Sequence, residues 1–398
     1  MTTLLPWPPL AADLVETLVR DGALTTPELI SAYRETPRHV FVPRFTVGTT
    51  GPAFAAEDDE QAWLRAVYTD RSLTTQRLAH PDGWSTAAGP LLVPTSSSTE
   101  PGLMARMLES LDVRAGHRVL EIGTGTGYNA ALLSHLVGSA NVVSVDLDPG
   151  LVAAARERLA EIGHRPTLVV GDGELGAAEH GPYDRIIATA GVPGIPATWV
   201  EQLRPGGRVV ANVRGELATG PVCVLDGDGD PIRLAGRFAG FEGHFMWLRP
   251  QADNPLRPHQ STSAGAVGTV SWTTTRLDPA ALVGDAPFRF LLQLQLRGVD
   301  GLYAGETAHP ATGVRQHAVS VTASDLSRAD VFTESDGTRL VVQRGERRLW
   351  DTVESTWDLL GELGRPGVDR FGVTVTRGEQ FVWLDSPDGP HRWPLPLV

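Results

Sequence analysis

The chain has 398 residues, 41% of them hydrophobic and 20% charged, with a formal net charge of −13; this implies two or three domains around a substantial core. The acidic balance argues against nonspecific binding to nucleic acid or to an anionic membrane, which needs a basic surface. With one cysteine, Cys223, an intrachain disulfide and a thiolate metal cluster are excluded, and a reducing, cytoplasmic setting is expected.

The N-terminal residues lack the charged-then-apolar order of a secretion signal, and no apolar run reaches the roughly 20 residues of a membrane span. Residues 11 to 35 carry helical apolar spacing in two pieces (Leu14, Val15, Leu18, Val19; Leu29, Ile30, Tyr33), divided by Asp21-Gly22 and a helix start at Thr25–Glu28. Arg38 to Pro43 reads as a short strand or extended piece, and 44 to 95 as irregular. From 101 to 225 strands alternate with helices. The strands are expected at 118–122, 141–146, 167–170, 184–189 and 208–213, with helices starting near Gly127, Pro149, Gly173 and Pro196. That alternation implies a parallel sheet covered on both faces. Asp226–Pro231 reads as a hairpin turn. Beyond it come short alternating runs (Phe288–Leu296, Arg339–Arg344, Phe371–Thr376, Phe381–Leu384) and one helix over Leu349–Leu363. The expected division is 1–95, a helical and irregular substrate-side region; 96–250, an α/β Rossmann-like doubly wound core; and 255–398, a β-rich α+β domain reached through the linker Gln251–Pro255.

The core opens on Val119-Leu120-Glu121-Ile122-Gly123-Thr124-Gly125-Thr126-Gly127-Tyr128, a strand ending in an acid, then glycines at alternate positions, then a helix. A dinucleotide turn needs G-x-G-x-x-G, and Tyr128 stands where its last glycine would be. Glu121 puts negative charge beside the turn, which suits a cationic sulfonium better than a pyrophosphate. The turn therefore reads as a site for S-adenosylmethionine (SAM), with Glu121, Gly123, Thr124, Gly125 and Gly127 as cofactor residues. Asp146, about 20 residues past the turn, is placed for ribose hydroxyls, with Leu147 beside it; Asp148 is the cap of the helix at Pro149. Asp172, with Gly173, is either an adenine contact or a helix cap. Thr95 to Thr99 is either a cap for the helix that follows or a catalytic hydroxyl cluster, and capping is the commoner use of such runs. No histidine spacing supports a metal site, and the G-x-S-x-G nucleophile elbow is absent.

Over residues 10 to 220 the chain resembles the protein L-isoaspartyl O-methyltransferases. The resemblance rests on Thr36–Pro43, Tyr68-Thr69-Asp70, Val119–Tyr128, Val169–Gly173 and Leu203–Arg208. It implies a SAM-dependent carboxyl methyltransferase. Aligned on Pro101, Thr99 takes the place of the family's serine, and it implies that Thr99, with Ser98 or Ser97, aims one carboxylate oxygen at the methyl group. The tail after 255 resembles extended actinobacterial members that methylate an aspartate of a ribosomally made, modified peptide, leading to aspartimide. This implies a peptide partner; Trp247, Trp383 and Trp393 are expected either to form aromatic surfaces by which the C-terminal domain recognises it or to pack a small core. The alternatives are repair of isoaspartyl protein and a SAM- or peptide-binding protein without turnover. The oligomeric state is not legible.

Overall fold

The computed structural model describes residues 6–48, 51–79, 85–86, 89–217, 220–229, 231–249 and 270–398. The expected linker Gln251–Pro255 lies outside them. Helix α1 (Trp7–Arg20) has Pro8 in its first turn and α2 (Pro27–Glu35) starts on a proline; each buries one stripe, Leu14, Val15 and Leu18 in the first and Leu29 and Tyr33 in the second. Arg38–Phe41 is a 3-10 turn rather than a strand.

The stretch expected to be irregular holds real structure. Strands β1 (Arg44–Val47), β2 (Ala53–Ala55), β3 (Leu73–Ala79) and β6 (Leu92–Ser98) form an antiparallel sheet in the order β2-β1-β3-β6. The two-residue strands β4 (Ser85–Thr86) and β5 (Gly89–Pro90) pair within the β3–β6 connection. Helix α3 (Glu60–Val67) is capped by Asp59, whose carboxylate accepts from the amides of Gln61 and Ala62. These strands are short and mix threonine, glutamine and arginine with few apolar residues, so their period-2 signal is faint.

The core follows with α4 (Pro101–Leu111), β7 (Val119–Ile122), α5 (Tyr128–Val137), β8 (Val142–Asp146), α6 (Pro149–Glu161), β9 (Thr167–Val170), β10 (Tyr183–Val192), α7 (Ala197–Glu201) and β11 (Leu203–Val213). Strands β9-β8-β7-β10-β11 lie parallel in that order, a doubly wound sheet as expected. Asp148 caps α6, accepting from Gly150 and Leu151 amides. No helix starts at Gly173; the Asp172 carboxylate takes the Glu174 amide at 2.9 Å and the chain turns instead.

Antiparallel β12 (Pro221–Asp228) and β13 (Arg233–Glu242) extend the sheet. The C-terminal region has its own five-stranded sheet, β14 (Val270–Thr274), β18 (Arg339–Arg344), β17 (Arg328–Thr333), β16 (Arg315–Ala323) and β15 (Val299–Ala308) in that spatial order. Packed with it are α8 (Ala281–Gly284), α9 (Ala286–Gln295) and α10 (Leu349–Glu362). Helix α9 replaces the strand expected over Phe288–Leu296. Asp285 caps it through the Phe288 amide at 2.9 Å; Phe288, Phe290, Leu291, Leu292 and Leu294 are buried, and Asp285, Arg289 and Gln293, four residues apart, form the polar stripe that the strand reading overlooks.

The chain then returns to the large sheet. Strands β19 (Phe371–Val375), β20 (Gln380–Leu384) and β21 (Arg392–Pro394) add to β13, giving the ten-stranded order β21-β20-β19-β13-β12-β11-β10-β7-β8-β9. The boundary expected at 255 therefore does not separate two sheets. Phe290 of α9 sits between Phe238 of β13 and Phe371 of β19, with ring centroids 5.0 and 5.2 Å away.

Candidate functional site

Strands β7, β8 and β10 end together where the strand order reverses, the place at which open α/β sheets take ligands. The turn after β7 needs three left-handed residues, Gly123 (φ 96°), Gly125 (φ 52°) and Gly127 (φ 90°). A Cβ on Gly123 would lie 2.7 Å from Thr189 Oγ1. On Gly125 it would meet nothing nearer than the Ser97 carbonyl oxygen at 3.7 Å and Ser96 Oγ at 3.8 Å, so the turn's backbone runs close beside β6. Gly127 serves packing: a Cβ there would sit 3.0 Å from that of Ala155 in α6.

Glu121 is fully buried. Its Oε1 accepts from Asn129 Nδ2 at 2.8 Å and its Oε2 from Ser144 Oγ at 2.5 Å, and Ser144 is in turn 2.6 Å from Thr124 Oγ1. Burial pushes the carboxyl up to about 7, against the pull of those two hydrogen bonds and with a further push from Asp146. The negative charge expected beside the turn is thus only partly present at neutral pH, and the side chain braces the turn through Asn129 and Ser144. Asp146 receives the Gly125 amide on Oδ2 at 2.8 Å and the Asp148 amide on Oδ1 at 3.1 Å. Burial raises its pKa in spite of those amides.

A cavity of about 1020 Å³ opens on this turn. Glu121, Gly123, Thr124, Gly125, Asp146, Leu147 and Gly173 line it, together with Ser97, Ser98 and Thr99. Gly127 and Asp172 do not line it. The fit to SAM can be judged from this lining. The turn leaves the Gly125 backbone open, Asp146 keeps lone pairs for hydroxyls, and Asn129 Oδ1, at the wall, is buried with no partner among the described residues. Neutral donors and acids in a mostly apolar cavity suit a cationic nucleoside with an amino-acid tail. Glu121, Gly123, Gly125, Asp146 and Leu147 would hold it, and when bound it supplies an electrophilic methyl group.

The hydroxyl run is the last part of β6, not a helix cap. Leu73 pairs with Ser98 and Thr74 with Ser97, and the helix α4 that follows has no side-chain cap from Glu100. Asp70 supplies the missing acceptor, taking the Gly102 amide at 2.7 Å. Ser98 Oγ accepts from Arg38 Nε and NH2, both at 3.4 Å. Ser97 and Thr99 hydroxyls have no side-chain partner among the described residues, and both residues line the cavity.

Arg38 is the residue that sequence reasoning missed. It is fully buried and donates to the carbonyls of Val67 (2.7 Å), Thr69 (2.9 Å), Arg71 (3.1 Å) and Thr99 (3.1 Å) besides Ser98. It ties the 3-10 turn, the α3–β3 loop and the Ser98-Thr99 step into one unit. An arginine two residues before the apolar run Val40-Phe41-Val42 was the available signal. Thr189 was missed as well; its hydroxyl donates to the carbonyls of Ile122 and Gly123 at 3.0 and 2.8 Å.

Of the tryptophans expected to form a recognition surface, Trp247 lines the cavity, its ring 4.5 Å from the Arg214 guanidinium. Trp383 does not form a surface: it is buried in the sheet with its indole N–H on Thr374 Oγ1 at 3.1 Å. Trp393, half-buried on the edge strand β21, packs on Phe371. Among the described residues no group of three or more His, Cys, Asp and Glu could hold a metal, and no helix is long and apolar enough to cross a membrane.

The chain is similar to proteins of known family along these same elements. Residues 65–226 match the family model for protein-L-isoaspartate(D-aspartate) O-methyltransferase. The protein-L-isoaspartate O-methyltransferase of Methanoculleus marisnigri is 35% identical over 239 residues, 59% of this chain and 92% of that protein. That of Hyperthermus butylicus is 34% identical over 260 residues, 61% of this chain and 92% of its own. A solved structure titled protein-L-isoaspartate O-methyltransferase superposes on 94% of this chain and 100% of its own, with a TM-score of 0.52 and 23% identity, a likeness of fold. The chain belongs to the protein-L-isoaspartate O-methyltransferase family, and is a methyltransferase whose cofactor is S-adenosyl-L-methionine.

Proposed function

We propose that the protein methylates the free carboxylate of an isoaspartyl residue in a protein or peptide, the first step of repair. One observation carries this reading: Ser97, on the strand that the glycine turn touches, and Thr99, just past that strand's end, line the same cavity as the turn, and their hydroxyls have no side-chain partner among the described residues. A carboxylate with an ordinary pKa of about 3.5 to 4 is ionised at neutral pH and needs no general base. Thr99, with Ser97, donates a hydrogen bond that fixes which oxygen points at the methyl group; Ser98 is committed to Arg38. Neutral donors leave the oxygen nucleophilic, and the gain comes from positioning. The relatives' names support this substrate.

The test is transfer of labelled methyl from SAM to an isoaspartyl hexapeptide and to its aspartyl twin. Label on the isoaspartyl peptide alone is expected; label on neither would overturn the reading. A second reading is methylation of one aspartate in a ribosomally made, modified peptide, with the ester closing to aspartimide. What favours it is that residues from the C-terminal region reach into the cavity. The extended tail is a weaker argument, because a solved structure with the family's title shares that fold. Label on the aspartyl twin, followed by loss of methanol, would decide for this second reading.

A further inference from the structure

The cavity is larger than the cofactor turn and the hydroxyl strand need. Three further pieces of chain line it, and together they are called its second lobe here: the segment after β11 (Arg214 to Leu217), the end of α9 and the turn into β15 (Gln293, Leu294 and Leu296 to Asp300), and Pro394 to Pro396 at the end of β21. These walls are fixed to one another. Arg297 NH2 donates to the Pro394 carbonyl at 2.7 Å. Gln380, almost fully buried, receives the Ile195 amide at 2.8 Å and donates to the Pro396 carbonyl at 2.6 Å. Gly215 lets the Gln293 amide lie against the backbone, since a Cβ there would be 2.4 Å from Gln293 Oε1. The lobe is therefore preformed, which lowers the ordering cost of whatever binds in it.

Its chemistry is specific. Leu217, Leu294, Leu296 and Val299 give it an apolar side, next to the charged Glu216, Arg297 and Asp300, and Leu395 is half-buried beside them. Two buried polar atoms at its wall have no partner among the described residues: Arg214 Nε, a donor, and Gln293 Oε1, an acceptor. Buried polar groups are nearly always paired, and one donor and one acceptor are what a peptide unit answers.

We propose that this lobe is the subsite for the residue flanking the reacting carboxylate, and that it selects an apolar side chain. This rests on the reading that the substrate is a polypeptide carboxylate. The flanking chain runs from the Thr99 side into the lobe, one amide pairs with Arg214 and Gln293, and the side chain packs against Leu294, Leu296 and Leu395.

The test uses the full chain and heptapeptides, isoaspartyl and aspartyl, with Leu or Asp at each flanking position in turn. The wild type should prefer Leu over Asp by tenfold or more in kcat/KM at one flank position, the size expected for a well-filled apolar pocket. Leu395→Asp should bring that preference close to one, and Gln293→Leu should lower kcat/KM through KM for every heptapeptide. Thermal melting checks that both variants fold, and they lie on different elements, so one stands if the other fails. A wild type that methylates heptapeptides with no flank preference, a Leu395→Asp variant that keeps the preference, or a Gln293→Leu variant with unchanged KM would overturn the subsite alone. A wild type that methylates neither series would overturn the functional reading and the subsite together.

Discussion

Glu121 makes stability depend on pH in a direction opposite to that of most carboxylates. Its carboxyl is raised from 4.5 to about 7 by burial, so between those values the folded chain holds a proton that the unfolded chain has released. Stability contributed by this group is complete below about 4.5 and is lost as the pH rises through 7. At about 1.4 kcal/mol for each tenfold change in proton affinity, the loss between pH 5 and pH 8 is about 2–3 kcal/mol. Glu121→Gln keeps an oxygen for Asn129 Nδ2, and its amide can donate to Ser144 Oγ as the protonated acid does. It cannot titrate. Urea unfolding of both proteins at pH 5 and pH 8, without cofactor, gives the difference of differences, in which the other titrating groups largely cancel. The variant should gain about 2–3 kcal/mol relative to the wild type on going from pH 5 to pH 8. A relative gain below about 1 kcal/mol would refute the claim that desolvation dominates at this site.

Arg38→Met should lower stability by about 3 kcal/mol or more, because four carbonyls lose their donor in the interior; residual enzyme should lose kcat more than KM, read by steady-state assay with the isoaspartyl hexapeptide. Gly123→Ala forces a side chain to φ 96° and to 2.7 Å from Thr189 Oγ1. It should weaken S-adenosylhomocysteine binding at least tenfold by calorimetry, and adding Thr189→Ala should recover only part, since the backbone strain of about 1–3 kcal/mol persists. Thr99→Ser should keep methyl transfer within a few fold, whereas Thr99→Val should cost about 10²-fold in kcat if its hydroxyl aims the acceptor oxygen.

The parallel part of the fold was legible because buried strands are written as continuous apolar runs. Val142–Val145 and Val119–Ile122 could be read directly, and the glycines between Ile122 and Tyr128 marked the ligand end of the sheet. The cofactor side of the site came with it. What stayed hidden depends on distant partners. The return of Phe371–Leu384 to β13 is a pairing choice across more than a hundred residues, which no local pattern encodes. Helix α9 reads as a strand because Phe288, Phe290, Leu292, Leu294 and Leu296 also alternate with Arg289, Gln293 and Gln295, so a period of two competes with the helical one. The charge of Glu121 was read from its residue type, while its environment decides how much of that charge exists. Arg38 acts on backbone carbonyls, which leave no trace in side-chain spacing.

The return of the chain to its first sheet also orders events during folding. Strand β13 ends at Glu242 and its outer neighbour β19 begins at Phe371, so everything between must be made while β13 presents bare amides and carbonyls. Such an unpaired rim is a template for association between molecules. Cutting the chain near 255 to ask what the remainder does would make that rim permanent, and a negative result would report precipitation, not the loss of a recognition module.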